Sequence, residues 1–330
     1  MSQNTLNTTA FIEAQIYSKF IIDNLEPVLL PEIFYRDVTD FAKGTVLNIK
    51  TVGDVVLQEA DEFQPLNYNP IDTGNITLSI SDYVGDAWSV TDDLRLEGSQ
   101  IDQLMSMRGM SSTRALAQHH ESRFLATAAT SQTNANVNLV NGVPHRWVAG
   151  GAGATTRFMT YGDLNAMQFA FDEAEAPAEG RIAIVPPAVG ATLAGLANIT
   201  GTLSPNPMMM QVLETGFARN HKFIMNLYGW DIWTSTRLPR KTATEALNAS
   251  DYALANDTAE IGDIASIFMC IADDNTKPIM HAWRKQPSVE GWHDHESRTD
   301  RFQTLSKFGF GAQRNDTLGV IWTSPQRGVV

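Results

Sequence analysis

Residues 75–81 read NITLSIS, and the order of the elements on either side of this segment decides the fold of the chain. Three aliphatic side chains alternate with polar ones, which is the period of a strand with one buried face: Ile76, Leu78 and Ile80. An outgoing segment, residues 45–50 (TVLNIK), places Leu47 and Ile49 two residues apart in the same way. The two segments predict an extended hairpin within residues 44–90.

The middle of this hairpin is rich in glycine, proline, asparagine and acidic residues, and it has few apolar side chains that could anchor a core. Two legs of roughly 20 residues could reach on the order of 60 Å at about 3.3 Å per residue. A compact chain of this size has a radius of gyration of only about 20 Å. The hairpin therefore either folds back as a meander within one domain or extends beyond its own subunit.

Residues 92–129 predict one long helix directly after the hairpin. Asp92 and Asp93 place negative charge at its N-terminus, where the helix dipole is positive. Apolar and aromatic side chains then recur at the spacing of one helix face: Leu116, His120 and Phe124. Residues 109–113 are small and polar, which lowers helix propensity and permits a kink.

The rest of the chain predicts shorter elements around this pair. Upstream, residues 10–25 predict an amphipathic helix, because three apolar side chains are spaced four apart: Ile12, Ile16 and Phe20. Downstream, residues 130–156 are rich in small and polar side chains and predict a flexible loop. Further helices are predicted at residues 161–175 and 188–196. Apolar or alternating segments predict the strands: residues 181–187, 229–239, 264–272, 279–284, 288–291, 308–312 and 318–322.

Composition limits the kinds of function that the chain can have. The formal net charge of −13 argues against a protein that grips nucleic acid through a basic face. Charged residues make up 18% of the chain, below the usual fraction of about 25%, which indicates that much of the surface meets other protein. Cys270 is the only cysteine, which excludes an intrachain disulfide and a cysteine zinc cluster. Because neither a signal peptide nor a membrane span is recognisable, we expect a soluble chain made in a cytoplasm.

The clearest catalytic pattern is the pair His293 and His295, with His281 upstream, because alternate histidines on one strand face can bind a metal. A metal-assisted hydrolase that uses these three histidines is therefore one alternative, although their flanks predict an exposed loop. Residues 119–121 (HHE) do not match a His-Glu-x-x-His motif and predict a solvated or interhelical face. Since no nucleophile elbow, phosphate loop or dinucleotide fingerprint occurs, we predict no catalytic, metal-binding or cofactor-binding residue and no enzyme.

The order of the elements resembles that of the major capsid proteins of tailed double-stranded DNA bacteriophages, which have the Hong-Kong-ninety-seven-like capsid fold. The resemblance covers roughly residues 10–325, and it is carried by the order of the segments rather than by one motif. The matching segments are residues 44–46 (GTV), 88–93 (WSVTDD), 115–117 (ALA), 184–187 (IVPP), 229–235 (GWDIWTS) and 308–312 (FGFGA).

This resemblance implies an α+β phage capsid fold with an N-terminal arm, an extended β-hairpin loop, a peripheral domain with a long spine helix, and an axial domain with a central sheet. The implied boundaries are residues 1–43 for the arm, 44–90 for the hairpin loop, 91–180 for the peripheral domain, 181–285 for the axial domain and 286–330 for closing strands that return to the body.

The resemblance also implies a function. Such a protein self-assembles as hexamers and pentamers into an icosahedral shell that encloses phage double-stranded DNA, without sequence-specific DNA binding and without a membrane. Its location is the virion, after assembly in the host cytoplasm, and separate scaffolding, cement and portal proteins are its expected partners. An encapsulin-type compartment shell protein remains an alternative, because it shares the fold.

We expect the hairpin tip to carry contacts between subunits. Its acidic residues should lie near basic groups of a neighbouring subunit. Its apolar residues should contribute more to the stability of the contact, because exposed ion pairs are worth only about 0–1 kcal/mol. The tip residues are Glu59, Asp61, Glu62, Phe63 and Leu66, and the basic groups are Arg284, Lys285, Arg298 and Arg301.

Lysines are scarce in this region. Lys43 and Lys50 stand at the base of the outgoing leg, and the next lysine along the chain is Lys222. Some relatives of the fold join a lysine of the extended loop to an asparagine of a neighbour, and that reaction needs an amine at the far end of the loop. We therefore predict a shell that is held together by non-covalent contacts.

Overall fold

The computed structural model describes most of the chain between residues 29 and 326, in the following ranges: 29–39, 44, 46–53, 57–59, 73–97, 101–130, 139–150, 157–200, 223–227, 229–246 and 258–326. The predicted helix at residues 10–25 and the predicted contact residues 61–66 lie outside these ranges, as does Lys43. In the described ranges, no helix is both long enough and apolar enough to cross a membrane.

Strands and helices alternate along the chain in an α+β order. The strands are β1 (Arg36–Asp37), β2 (Val46–Val52), β3 (Thr73–Ser79), β4 (Asp82–Thr91), β5 (Leu139–Val140), β6 (Val143–Pro144), β7 (Arg146–Val148), β8 (Arg181–Val185), β9 (Phe223–Leu227), β10 (Trp230–Thr234), β11 (Glu245–Ala246), β12 (Thr258–Ala259), β13 (Ile264–Cys270), β14 (Ile279–Asp294), β15 (Thr299–Ala312) and β16 (Leu318–Thr323). The helices are α1 (Asp92–Glu97), α2 (Ile101–Thr130), α3 (Tyr161–Glu173) and α4 (Pro187–Thr200).

The predicted extended hairpin is confirmed at its base. Strands β2 and β3 pair antiparallel, with Leu47 opposite Leu78 and Ile49 opposite Ile76. The alternation in β3 has the predicted sense, since Leu78 is buried while Thr77 and Ser79 are exposed. The chain then passes directly into β4, which is the edge strand of a larger sheet.

A four-stranded sheet and the helix α2 form one half of the body. The strand order is β1-β14-β15-β4, with β1 and β14 parallel and the other pairs antiparallel. Residues 279–284 and 288–291 were predicted as separate strands, but they belong to the single strand β14. Register shifts on either side of Lys285 let the strand continue past Pro287, which cannot donate to the ladder.

The long helix differs from its prediction in where it begins. Instead of one helix over residues 92–129, the structure has the short α1 and the 30-residue α2, with residues 98–100 outside the described ranges. The small, polar segment at residues 109–113 stays helical. The Thr113 hydroxyl there donates to the Gly109 carbonyl at 3.1 Å, so the polar side chain bonds within the helix.

A six-stranded sheet forms the other half, in the order β7-β16-β13-β8-β10-β9. Every residue of β8, β13 and β16 is buried, which is the pattern of strands that are covered on both faces. On one face, Ala183 and Phe268 pack with Leu164 and Phe171 of α3. On the other face, side chains of the same strands pack with Phe124, Leu125 and Ala128 at the C-terminal end of α2.

The prediction of a flexible loop at residues 130–156 is wrong for residues 139–148. These residues form the hairpin β5–β6 and the strand β7, which pairs parallel with β16 at the edge of the six-stranded sheet. Trp147 and Val148 are fully buried there. The segment is too short to show a period, and only its neighbours in the fold make it a strand.

Candidate intersubunit surface

The base of the extended hairpin is seated on the four-stranded sheet by a small apolar cluster. Leu78 and Ile80 of the return leg pack with Met280 and Ala282 of β14, and all four side chains are buried. Leu47 and Ile49 cover this cluster from the outgoing leg. The base therefore has its own core on the body, which fixes the orientation of β2 and β3 on the four-stranded sheet.

Two glycines allow this close approach. A Cβ atom at Gly309 of β15 would overlap the Ser79 carbonyl oxygen and would lie 2.9 Å from the Ile80 Cα atom. A Cβ atom at Gly311 would lie 2.9 Å from a methyl carbon of Leu78. Real Cβ contacts are longer than this, so β3 crosses β15 at a distance that only glycine permits.

The outgoing leg of the hairpin presents two apolar side chains to solvent. Val46 at the start of β2 is 52% exposed, and Leu57 further along is 89% exposed. Glu59 is also exposed, and the other four predicted tip residues lie outside the described ranges. Single exposed apolar residues are normal on a protein surface. The stronger indication of an intersubunit contact is that the middle of the hairpin has few apolar side chains that could anchor a core of its own.

The four predicted basic residues all lie on the β14–β15 hairpin. Arg284 and Arg298 are exposed, and Arg298 adopts a positive φ of 46° in the connecting turn. Lys285 and Arg301 already have acidic partners in their own subunit, since Lys285 Nζ is 2.6 Å from Glu290 and Arg301 Nη2 is 2.7 Å from Asp294. An acidic tip that docks here would have to share or replace these two partners.

The turn end of this hairpin gathers further charged groups. His293 Nδ1 lies 2.7 Å from Asp300 Oδ1, and Asp92 at the start of α1 offers a third possible metal ligand within 4.8 Å. The hydrogen bond with Asp300 raises the pKa of His293, and the same bond lowers the pKa of Asp300. Arg95 also bonds Asp300, so this carboxylate already has two hydrogen-bond partners.

The histidines of the hydrolase alternative are not brought together. His293 and His295 are neighbours, with ring centroids 4.7 Å apart, but His281 lies twelve residues earlier on the same extended strand. At about 3.3 Å per residue this separation is roughly 40 Å. The three histidines therefore do not form one metal centre.

His281 instead belongs to a buried aromatic cluster that joins α2 to the four-stranded sheet. Its Nε2 atom lies 3.0 Å from His120 Nε2, and both rings contact Trp283 and Phe310. Burial lowers the pKa of His120 to about 3 and that of His281 to about 4, so both rings are neutral near pH 7. The pair is a structural contact, since one neutral ring donates to the other.

The prediction of a solvated or interhelical face for residues 119–121 is wrong for His120 and Glu121, which are both buried and contact strands or the segment after β10. Glu121 accepts hydrogen bonds from the Ser235 hydroxyl at 2.7 Å, from Arg237 at 3.2 Å and from the Leu30 backbone amide at 3.4 Å. One carboxylate thus joins the incoming N-terminal chain, the helix α2 and the segment after β10.

Two arginine–aspartate pairs fix α2 along β4. Arg123 binds both carboxylate oxygens of Asp82, at 2.8 and 2.6 Å, and Arg108 binds both oxygens of Asp86, at 2.9 and 2.7 Å. The hydrogen bond with Arg123 lowers the pKa of Asp82. These pairs were not predicted from the sequence, although two aspartates four apart on a strand share one face.

Comparisons with known proteins agree with this architecture. No curated protein matches the chain in sequence. Among solved structures, the mature capsid of bacteriophage PhiM1 matches with a TM-score of 0.69 at 11% identity, covering 95% of this chain and 93% of that one. The capsid of cyanophage P-SCSP1u matches with a TM-score of 0.65 at 14% identity, covering 95% and 94%.

An encapsulin also has this fold. The SrpI encapsulin complex from Synechococcus elongatus matches with a TM-score of 0.58 at 10% identity, covering 100% of this chain and 99% of that one. At such low identities these likenesses establish the capsid fold alone. A family model described as Phage capsid protein matches residues 75–323, which is most of the chain. The chain therefore belongs to the phage capsid protein family and is a structural protein of the capsid shell.

Proposed function

We propose that this protein is the major capsid protein of a tailed phage, and that it assembles as hexamers and pentamers into an icosahedral shell around double-stranded DNA. The observation that carries the proposal is the extended hairpin. Its base is anchored on its own subunit by Leu78 and Ile80, while Leu57 further along is 89% exposed. An arm that is fixed at one end and has few apolar side chains with which to form a core of its own suits a contact with the next subunit.

The sequence-derived division of the chain extends this proposal. We assign residues 1–43 to an N-terminal arm, 44–90 to the hairpin loop, 91–180 to the peripheral domain, 181–285 to the axial domain and 286–330 to the closing strands. Two features blur these boundaries: β14 runs through residue 285, and α3 packs on the six-stranded sheet although it lies before residue 181.

For the contact itself, we propose that the hairpin tip meets the β14–β15 hairpin of a neighbour. The proposed set is Glu59, Asp61, Glu62, Phe63 and Leu66 on the tip, and Arg284, Lys285, Arg298 and Arg301 on the neighbour. Lys285 and Arg301 already pair with Glu290 and Asp294 of their own subunit. A carboxylate of a docking tip would therefore gain little interaction energy there, which supports a small electrostatic contribution to the contact.

Two variants test whether the apolar residues of the tip contribute more to assembly than its acidic residues. We expect Phe63→Ala to reduce the yield of assembled particles strongly, because it removes buried apolar area at every copy of the contact. A triple variant of Glu59→Gln, Asp61→Asn and Glu62→Gln should assemble nearly as well as the parent. Sedimentation of both proteins under the same conditions measures the assembled fraction. The reverse order of effects would refute the ranking.

Electron microscopy of the purified protein tests the assembly directly. Closed shells, or rings of five and six subunits, are the expected result, and small discrete oligomers would contradict it. We further propose that the protein acts by self-association rather than by catalysis, since the three histidines of the hydrolase alternative lie apart. Hydrolase activity that depends on His293 would overturn that part of the proposal.

An encapsulin-type compartment is the second candidate, and the similarity to the SrpI encapsulin structure favours it. The contents of the particle distinguish the two. Double-stranded DNA in nuclease-treated particles from the native source supports the phage capsid, whereas particles that hold a protein cargo and no DNA support the compartment.

A further inference from the structure

A groove runs along the N-terminal half of α2, on the side that faces the β14–β15 hairpin. Its volume is about 740 Å³, and its lining is predominantly apolar. Met105, Met110 and Ala117 line it from the helix, and Trp88 and Phe302 line it from the four-stranded sheet. Trp88 and Phe302 stack with ring centroids 5.8 Å apart, so the sheet side of the groove is a flat aromatic surface.

Burial changes sharply along α2 at this groove. From Leu116 onward the helix contributes Leu116, His120, Phe124, Leu125 and Ala128 to the buried interior. Before Leu116, only Ile101 and Ser112 are buried among the helix residues whose side chains the structure describes, and Met110 is 46% exposed. An apolar helix face that is left open over this length is a site where another element can pack.

The described chain begins at one end of this groove. The Leu30 amide bonds Glu121, and the preceding residue, Leu29, lines both the groove and the smaller cavity beside Glu121. Leu30 thus lies beside Glu121, and Leu29, one residue earlier in the chain, lies beside Ala117, which is one turn nearer the N-terminus of α2. Leu29 therefore lies at the Ala117 end of the groove, and Met105 marks the other end.

The segment upstream has the length and pattern to fill the groove. Residues 10–25 predict a helix with Ile12, Ile16 and Phe20 on one face, and 16 residues span about 24 Å at 1.5 Å per residue. Along α2, the groove extends from Met105 to Ala117, which is about 18 Å on the same scale. Residues 26–28 then connect the predicted helix to Leu29.

We propose that the groove is the docking site for residues 10–25 of the same chain, which lie along α2 in the same direction with Ile12, Ile16 and Phe20 facing Met105, Met110 and the aromatic surface. This contact completes the packing of the N-terminal half of α2. The proposal concerns the folded subunit and does not depend on the kind of shell that the subunit forms.

Cysteine crosslinking in the full-length chain tests the site. In one protein Lys19→Cys, beside the proposed contact face, is combined with Met110→Cys. In the matched control Ser18→Cys, which would point away from α2, is combined with the same Met110→Cys. The native Cys270 is fully buried, and the parent protein reports its background. The reagent is a thiol crosslinker whose span matches the roughly 8–10 Å between packed helices.

We expect most of the Lys19 protein to form a link between the peptides that contain positions 19 and 110, and the Ser18 protein to stay several-fold lower. Mixing isotopically light and heavy subunits before the reaction identifies the source of the segment. Links within light or within heavy chains support the proposal. Mixed links would overturn it in favour of a neighbour's segment, and absent or equal linking in the two proteins would also overturn it.

A labelling experiment covers the case in which the double variants do not fold. Met110→Cys alone should react with a maleimide at least ten-fold more slowly than Leu96→Cys, because Leu96 is 85% exposed on α1 and faces no groove. Adding Ile16→Asp should restore fast labelling at position 110, whereas adding Ser18→Asp should not. Fast labelling of Met110→Cys without either change would contradict the proposal.

Discussion

At the scale of single residues, Gly309 limits how closely the extended hairpin approaches the body. Gly309→Ala places a methyl group 2.9 Å from the Ile80 Cα atom, so β3 must move away from β15. We expect the variant to lower the free energy of unfolding by about 1–3 kcal/mol, the usual cost of overpacking.

The matched control for this variant is Gly109→Ala in α2, where no atom of the residues that the structure describes lies within 4 Å of the added carbon. We expect this change to raise stability by about 0.5–1 kcal/mol through helix propensity. Urea unfolding followed by circular dichroism measures both effects. If the two glycines respond alike, the close approach at Gly309 has no energetic importance.

The buried histidine pair predicts a pH dependence of stability. The folded pKa values of about 3 for His120 and about 4 for His281 lie below the ordinary value of 6.5. Between these values the unfolded chain binds more protons than the folded chain, so the contribution is complete above about pH 6.5 and is lost as the pH falls toward 4. Each histidine then adds up to about 1.4 kcal/mol per pH unit to the slope.

The variant His281→Gln should reduce this slope between pH 6.5 and 4.5, because glutamine does not titrate and can still bond His120. Thermal unfolding at several pH values measures the slope for the parent and the variant. Asp37, which lies 4.0 Å from His281 Nδ1, faces the pair from β1 and should be kept unchanged in both proteins. Identical slopes would show that the pair does not titrate on unfolding.

At the scale of elements, α2 is held to β4 by ion pairs and to the six-stranded sheet by its apolar C-terminal end. The Arg123 side chain is 48% exposed and the Asp82 side chain only 16% exposed, so solvent screens part of the attraction. We expect a coupling energy of about 0.5–1 kcal/mol from the cycle Asp82→Asn, Arg123→Gln and the double variant. The cycle Asp86→Asn with Arg108→Gln is the control, and it should give a smaller value, because a single nitrogen, Nη2, contacts both Asp86 oxygens and the pair is more exposed. Coupling below about 0.2 kcal/mol in both cycles would mean that apolar packing alone holds α2.

At the scale of the whole molecule, the position of the lysines predicts a shell without covalent links. Lys50 is exposed on β2 and pairs with Asn75 near the base of the hairpin, close to the body of its own subunit. We therefore expect boiled, mature particles to give a single band near 36.3 kDa in denaturing electrophoresis. A ladder of multimers would show that a lysine elsewhere reaches a neighbour, and mass spectrometry of the ladder would identify it.

The elements with a strong period could be read from the sequence, whereas the candidate site could be read only in part. The alternation in β3 and the uniformly apolar strand β8 were visible because burial on one face or on two faces leaves a direct pattern. The short strand β7 and the unbroken β14 were not visible, because a neighbouring strand and two bulges decide them. The sequence also predicted an extended hairpin, but not the glycine crossing at its base.

By itself, then, the sequence determined the order of the elements, the long helix after a hairpin, and the absence of a complete catalytic motif. These properties are local, since periodicity and residue type record them within a few turns of chain. The tertiary structure alone decided which distant groups meet. It separated His281 from His293, paired it with His120, and placed Arg123 on Asp82. Such contacts depend on how two sheets and a helix pack in three dimensions, and no spacing along the chain encodes that distance.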